Sequence, residues 1–534
     1  MHTLHYISLI VLPILLNPTR ASNLDEQLTW DADLCEKVGA DYKDFDFCGE
    51  IIFCEQDEDD RRSLRGLNSD LSSSRKALHG WRLAGQEECL WPGPTIRMER
   101  GKSYGLFVKG SGVDESGGTP SFTNIHLHGL HIPGEGNGDD IRREVSENDV
   151  IFYNVTIPAD HMGGTYFYHS HEHGYSYSQI KTGAFGMLIV EDGEDFGTDD
   201  AGVKSFMQNE ELMVLANMAG IPGKFQSAKT HYHIEKDQWY RFRVLTLSLD
   251  SHQSSHNVKF ELPLAKRKAY TADSTYQPCE TRAIAHDGIL RFKVPAEASE
   301  DSTYNLNGAS RVDLAVKCNE EADIIVGGEP VAVVKVDGKL DGNIGTKPNP
   351  LVNGASWNSK RPYYLEDLRG QNVDITDTWT VKVGEHDING AGFSMEQLLC
   401  NGGNPQSFKY DHVNEWTVER TMHPLHVHIH PMQVVSPEGC GSHEYGEFYD
   451  SLLYQGWRDS NQSTCLVRLR FADVGGLTAI HCHMPQHEDQ GSMALINVVG
   501  GPEQPEYPRV YRCKQEPCDE PKEVPTMCAE TREF

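Results

Sequence analysis

Three things are scarce in this chain. Positive charge is the first: 48 Lys and Arg face 79 Asp and Glu, a formal net charge of 48 − 79 = −31. That balance argues against a nucleic-acid partner and suits a soluble protein with an acidic surface. Long apolar runs are the second. Ile7 to Leu16 is too short to span a bilayer, and it ends at Asn17-Pro18 before the small residues Ala21 and Ser22. It reads as a signal peptide over 1–21, and no later run is long enough for a membrane helix, so a secreted chain without stable membrane insertion is expected. Methionine is the third: its 13 residues are scattered, with no Met-rich insert.

Cysteine is plentiful but odd in number, at 13. Cys482 sits among histidines as a metal-ligand candidate, and the 12 that remain suit disulfides formed in an oxidising compartment. Their pairing cannot be read from spacing. Asn154-Val-Thr156 and Asn461-Gln-Ser463 are glycosylation candidates of a secretory route.

At 534 residues the chain has room for about three to four domains of roughly 150 residues. Residues 22–75 are polar, acidic and cysteine-bearing, and read as an N-terminal extension, partly stapled and partly disordered. From 76 to 200, 201 to 350 and 351 to 500, short apolar runs alternate with Gly and Pro turns, which predicts β-sandwiches rather than βαβ units. Linkers are expected at Glu191–Gly202 and Gly338–Gly354, and a cysteine-containing tail at 501–534. The first and third blocks echo each other: Gly164-Thr-Tyr-Phe-Tyr-His-Ser-His171 parallels Gly475-Gly-Leu-Thr-Ala-Ile-His-Cys-His483, with Ser170 where the later copy has Cys482. The middle block has no His-x-His pair, so duplicated domains with unequal chemistry are implied.

The chemistry concentrates in four clusters: His126-Leu-His128, His169-Ser-His171, His423-Pro-Leu-His426-Val-His428, and His481-Cys482-His483 with His487. Along a strand, side chains alternate between faces, so each His-x-His pair places two imidazoles on one side. Cys482 then points away from His481 and His483, and His423, three residues before His426, turns to the Cys482 side. A Cys with two His and a weak axial position is the blue-copper pattern. A zinc site gives no reason for imidazoles to face away from the thiolate. Eight imidazoles from two domains suffice for three further copper ions.

These motifs resemble the multicopper oxidase family over about residues 80 to 500, and Trp91-Pro-Gly-Pro-Thr-Ile96, Trp457-Arg-Asp459, Tyr240-Arg-Phe-Arg243 and Asn307-Gly-Ala-Ser-Arg311 are similar to further segments of its three-domain members. The resemblance implies an all-β chain of three cupredoxin-like Greek-key β-sandwich domains holding four copper ions. His423, Cys482 and His487 would hold type 1 copper, and His126 and His426 type 2. The type 3 pair would take His128, His169, His171, His428, His481 and His483. Cys482 would pass electrons to its neighbours, and Glu488 with Asp139 or Asp140 would relay protons.

The axial position is a departure: where many members carry Met, Leu or Phe, this chain has Ser492, with Met493 next. The expected partners are dioxygen and a small reducing substrate. A laccase-like oxidation of phenols or aromatic amines is the first reading. Ferrous or cuprous oxidation is the alternative, its cuprous form weakened by the scattered methionines, and bilirubin-type oxidation stays open. A copper-binding protein without turnover is the reading from another class.

Overall fold

In a computed structural model, the structure describes residues 23–38, 45–57, 77–110, 122–146, 149–193, 206–217, 225–248, 256–263, 266, 276–293, 304–306, 308–338, 361–395, 405–452 and 463–502. The signal-peptide stretch, Cys400, Trp457-Arg-Asp459, Asn461 and the tail cysteines 513, 518 and 528 lie outside them. The described residues form six sheets that pair into three sandwiches. No helix among them is long and apolar enough to cross a membrane.

One pairing scheme recurs three times. In the first sandwich, Gly93–Met98 runs parallel to Phe185–Val190, which pairs antiparallel with Gly164–His169, which pairs antiparallel with His126–His128. In the third, Gln406–Lys409, Met493–Val499, Gly476–Cys482 and Leu425–Val427 follow the same order and directions. In the middle one, His231–Glu235, Glu329–Asp337, Ala322–Val326 and His256–Glu261 do so again. The middle copy keeps the scaffold without the histidine pairs.

Strand alternation decides what faces where. Leu127, Tyr166 and Tyr168 pack inside the first sandwich, while His126, His128 and His169 lie on its outer face. In the third, Leu425, Val427, Ile480 and Cys482 belong to the inner core with Trp416, leaving His426, His428, His481 and His483 outside. The two outer faces meet, so the histidines are buried in the seam between sandwiches and Cys482 within one.

The middle sandwich is riveted to the first by buried charges. Thr165 Oγ1 donates across to Asp313 Oδ1 at 2.6 Å, Arg243 lies 3.5 Å from Asp192, Arg241 pairs with Asp192, and Arg97 of the first sandwich pairs with Glu210 of the middle one. Gly164 sits so close to Gly288 that a Cβ there would lie 2.0 Å from its carbonyl oxygen.

The reading of 22–75 as an extension needs correction for part of its length. Phe47–Asp57 is an inner strand of the first sandwich, parallel to Ser103–Gly110 and antiparallel to Ala77–Leu83. Its acidic flanks hide the apolar run Ile51-Ile52-Phe53, which is buried. Among the described residues four disulfides are present: Cys35–Cys48, Cys54–Cys89, Cys279–Cys318 and Cys440–Cys465. Cys482 is the free cysteine among the described residues.

Candidate metal centre

The histidines of the two outer faces interleave. His126 stacks on His428 and His128 on His426, each with ring centroids 3.9 Å apart, and His171 meets His481 at 4.9 Å. His128 and His483 stand 5.0 Å apart. All eight are buried. Two compact donor sets emerge, His126 with His128 and His426, and His171 with His428 and His481, their ligating atoms within 4.8 Å of one another. His169 and His483 complete the seam.

Most of the rings are gripped at one nitrogen. Nδ1 of His126 lies 2.6 Å from Asp139 Oδ2, that of His169 2.8 Å from Ser170 O, and that of His426 2.9 Å from Asp450 O. His481 Nδ1 lies 3.0 Å from Cys482 O, and His171 Nδ1 lies 3.2 Å from Glu488 Oε1. The far nitrogens of His126, His169 and His426 are buried with no protein partner, and His483 has none on either side. His481 Nε2 comes within 3.0 Å of His428 Nε2 and 3.3 Å of His171 Nε2. Burial holds His481 and His483 down to about 3 and His169 and His428 to about 4, so the rings are neutral. Neutral imidazoles, oriented from behind and converging with free lone pairs, fit metal ions.

On the other side of the strand, His423 Nδ1 and His487 Nδ1 stand 3.0 Å apart, and 3.9 and 3.7 Å from the Cys482 sulfur. The short helix Pro485–Asp489, begun by a proline in its first turn, curls His487 back beside Cys482. Burial pushes the Cys482 thiol up to about 12, so a metal must displace its proton to bind. Two imidazoles and one thiolate in a trigonal set suit copper. Ser492 Oγ donates to Gly384 O at 2.7 Å, anchoring the 384–387 loop here. Met493 lies opposite His481 in register and packs with Ile141, Ala479 and Leu495, on the face away from Cys482.

The three candidate acids separate. Asp139 accepts from Leu127 N at 2.7 Å as well as holding His126, and lies 3.7 Å from His428 Nδ1. Asp140 instead clamps Arg142 at 2.7 Å through both oxygens and accepts from Gly136 N at 3.1 Å. Glu488 spans the two sandwiches: besides His171 it lies 3.5 Å from His481 Nδ1 and accepts from Ser176 Oγ at 3.1 Å. Burial, with Asp489 beside it, holds its carboxyl well above the usual range. Asp450, which the sequence reading passed over, also belongs here. It lies 450 − 428 = 22 residues after His428 and 481 − 450 = 31 before His481, and no motif marks it. The remaining histidines are structural in placement: His131 stacks on Tyr364 at 3.7 Å and lies 3.1 Å from Asp473 Oδ2, while its own N–H donates to His161.

A duplicated sandwich with a thiolate site inside and a histidine cluster at the seam defines a class of oxidase, and the chain belongs to the multicopper oxidase family, whose models match residues 85–195 and 372–501. Like other members it is an oxidoreductase with oxygen as acceptor. In particular it is similar to the iron transport multicopper oxidase FET3 of Kluyveromyces lactis, at 22% identity over 476 residues, covering 76% of this chain and 71% of that one. The protein of that name from Candida albicans is 23% identical over 472 residues, with the same coverage. Among solved structures, the multicopper oxidase of Pseudomonas thermotolerans superposes with a TM-score of 0.58 at 19% identity, covering 85% of this chain and 99% of that one. McoA of Aquifex aeolicus gives 0.58 at 17%, covering 85% and 96%. At such identities these structures bear on the fold alone.

Proposed function

We propose that the chain is a four-copper metallo-oxidase, coupling one-electron oxidation of ferrous ions to the four-electron reduction of dioxygen. The balance is four Fe(II), one dioxygen and four protons giving four Fe(III) and two waters. The observation that carries the substrate side is the rim of the thiolate site. His386 places its ring 6.5 Å from that of His487, on the loop that Ser492 anchors, with Glu385 3.8 Å from it and both more than half exposed. Imidazole and carboxylate suit a hard or borderline cation better than a phenol. The relatives' names point the same way, and the −31 charge favours cation approach. Met422, 54% exposed beside His423, is an apolar feature that favours an organic donor.

His423, Cys482 and His487 would hold one copper; His126 and His426 a second; and His128, His169, His171, His428, His481 and His483 a pair. Bound there, copper supplies one-electron redox chemistry and the affinity for dioxygen. The chain supplies the rest. Cys482 joins His481 and His483 through covalent bonds alone, which gives electrons a short path from the inner to the outer face. Asp139 holds His126 by Nδ1, Glu488 lies 3.2 Å from His171 Nδ1, and both stand within reach of the protons that dioxygen reduction consumes. Burial of the seam keeps bulk water from the reacting oxygen. Four disulfides support an oxidising compartment such as the secretory route.

Oxygen uptake by the copper-loaded protein, with ferrous ion and a phenol offered separately, tests the reading. Uptake driven chiefly by ferrous ion, at four ions per dioxygen, is expected. Uptake driven chiefly by phenol would restore the laccase-like reading.

A further inference from the structure

The middle sandwich contributes no histidine to the candidate metal sets found among the described residues, yet it reaches towards the cluster through Arg311 and Asp287, which both bond Asp450. Arg311, on the strand Ser310–Cys318, is buried at 1% exposure. Its Nη1 donates to Asp450 Oδ1 at 3.3 Å and to Ala309 O at 2.9 Å, and its Nη2 donates to Asp450 Oδ2. Nη1 also lies 3.6 Å from Asp287 Oδ1, and Asp287 Oδ2 accepts from Asp450 N at 3.2 Å. A planar guanidinium bridging two carboxylates fixes both in position and rotation, which an ammonium cannot do.

Asp450 in turn touches both outer faces. Its Oδ2 lies 3.4 Å from His128 Nε2, in a buried ring whose two nitrogens both lack a hydrogen-bond partner. Its main-chain carbonyl accepts from His426 Nδ1 at 2.9 Å, and Ser451 Oγ donates to Asp450 Oδ1 at 3.0 Å while lying 3.2 Å from the same ring nitrogen. The surroundings are shaped to admit the guanidinium. Gly129, directly after His128, has φ +91°, and a Cβ there would lie 2.9 Å from Arg311 Nη2 and 3.0 Å from Asp450 Oδ2. Asp287 at φ 50° and Ala309 at φ 67° both adopt left-handed backbone without being glycine, a cost borne where the clamp is made. Arg311 also lies over the Phe167 ring at 5.3 Å, two residues from His169.

We propose that Arg311 is a positioning residue through which the middle sandwich sets the metal affinity of the histidine cluster, by holding Asp450 against His128 and His426. The inference rests on reading those histidines as copper ligands. Removing a group that orients a ligand costs about 10–100-fold in metal affinity or activity. The thiolate site lies on the inner side of its own sandwich, with Cys482 in the core, so it should be spared.

The test compares wild type, Arg311→Lys, Arg311→Met and Asp450→Asn, each refolded or expressed with copper. Copper content, competition against a chelator, paramagnetic resonance of the type 2 ion and the blue thiolate absorption are read together. Expected is a drop of about 10–100-fold in copper affinity at the cluster and an altered type 2 signal, with the blue absorption intact. Lys, which keeps the charge but not the fork, should fall between wild type and Met. Should Met leave the buried carboxylates too costly to fold, Lys and Asn still decide the matter. Unchanged affinity and resonance in folded variants would overturn the proposal, and so would parallel loss of the blue absorption, which would mark a general structural role. A wild-type protein with no type 2 signal would instead overturn the copper reading beneath it.

Discussion

Two adjacent aspartates, Asp139 and Asp140, can be set against each other. Asp139 accepts two hydrogen bonds, from His126 Nδ1–H at 2.6 Å and Leu127 N–H at 2.7 Å. In Asp139→Asn one of those acceptors becomes an NH2 donor. If the amide oxygen keeps Leu127, its nitrogen faces the His126 Nδ1–H, and the ring must shift its proton to Nε2. That places a hydrogen where the metal-binding lone pair has to be. If the amide flips, the Leu127 N–H is orphaned in a buried site, at about 1–3 kcal/mol. Either way copper affinity at the His126–His426 position should fall about 10–100-fold, equivalent to about 1.4–2.7 kcal/mol, with a matching loss in oxygen uptake. Asp140→Asn weakens the clamp on Arg142 and the cap on Gly136, so about 1–2 kcal/mol of stability should go. Its copper content and turnover should stay near wild type. Chelator competition and thermal unfolding of both variants decide the matter. Equal copper affinity in Asp139→Asn and wild type would refute the grip argument, and a copper defect in Asp140→Asn would refute the separation of roles.

Ser492→Met should lower the potential of the thiolate site, since a thioether would enter beside it; redox titration showing no change would sink the idea. Cys482→Ser should abolish the blue absorption and turnover while about three coppers per chain persist, because the imidazoles face away from that side chain. In the Arg243 and Arg97 network, burial alone would raise Glu210, but the two guanidinium groups outweigh it and hold the carboxyl at about 2. Its stabilising share is therefore full above the ordinary value near 4.5 and lost as pH falls towards 2, so Glu210→Gln should lose up to about 3 kcal/mol at neutral pH and show a flatter acid-unfolding curve. Removing Cys440–Cys465, which closes a 25-residue separation, should cost about 3–4 kcal/mol in denaturant unfolding.

Period-two alternation was enough to separate Cys482 from His481 and His483, because a strand obeys it whatever surrounds it. The duplicated scaffold was legible for the same reason, from matching Gly-to-His runs at Gly164 and Gly475. Three things were not legible. The strand Phe47–Asp57 was masked by composition, since averaging over an acidic, serine-rich neighbourhood dilutes three apolar residues. Asp139 and Asp140 were equivalent as letters and differ only in which way a turn aims them. Asp450 and Arg311 act through contacts 139 residues apart, a pairing that no local pattern encodes. Met493 was offered as an axial neighbour by count along the chain, but its register opposite His481 sends it to the far face.

The seam location has a consequence for how the protein matures. The thiolate pocket lies within one sandwich and is complete as soon as that unit folds. The eight-histidine cluster does not exist until two separately folded units, far apart in sequence, have docked. Metal loading therefore has an order built into it: one copper can be taken up by a half-assembled chain, whereas the rest can enter only after docking and then lock it. Copper scarcity during biogenesis should accumulate blue but inactive molecules whose first and third sandwiches separate easily.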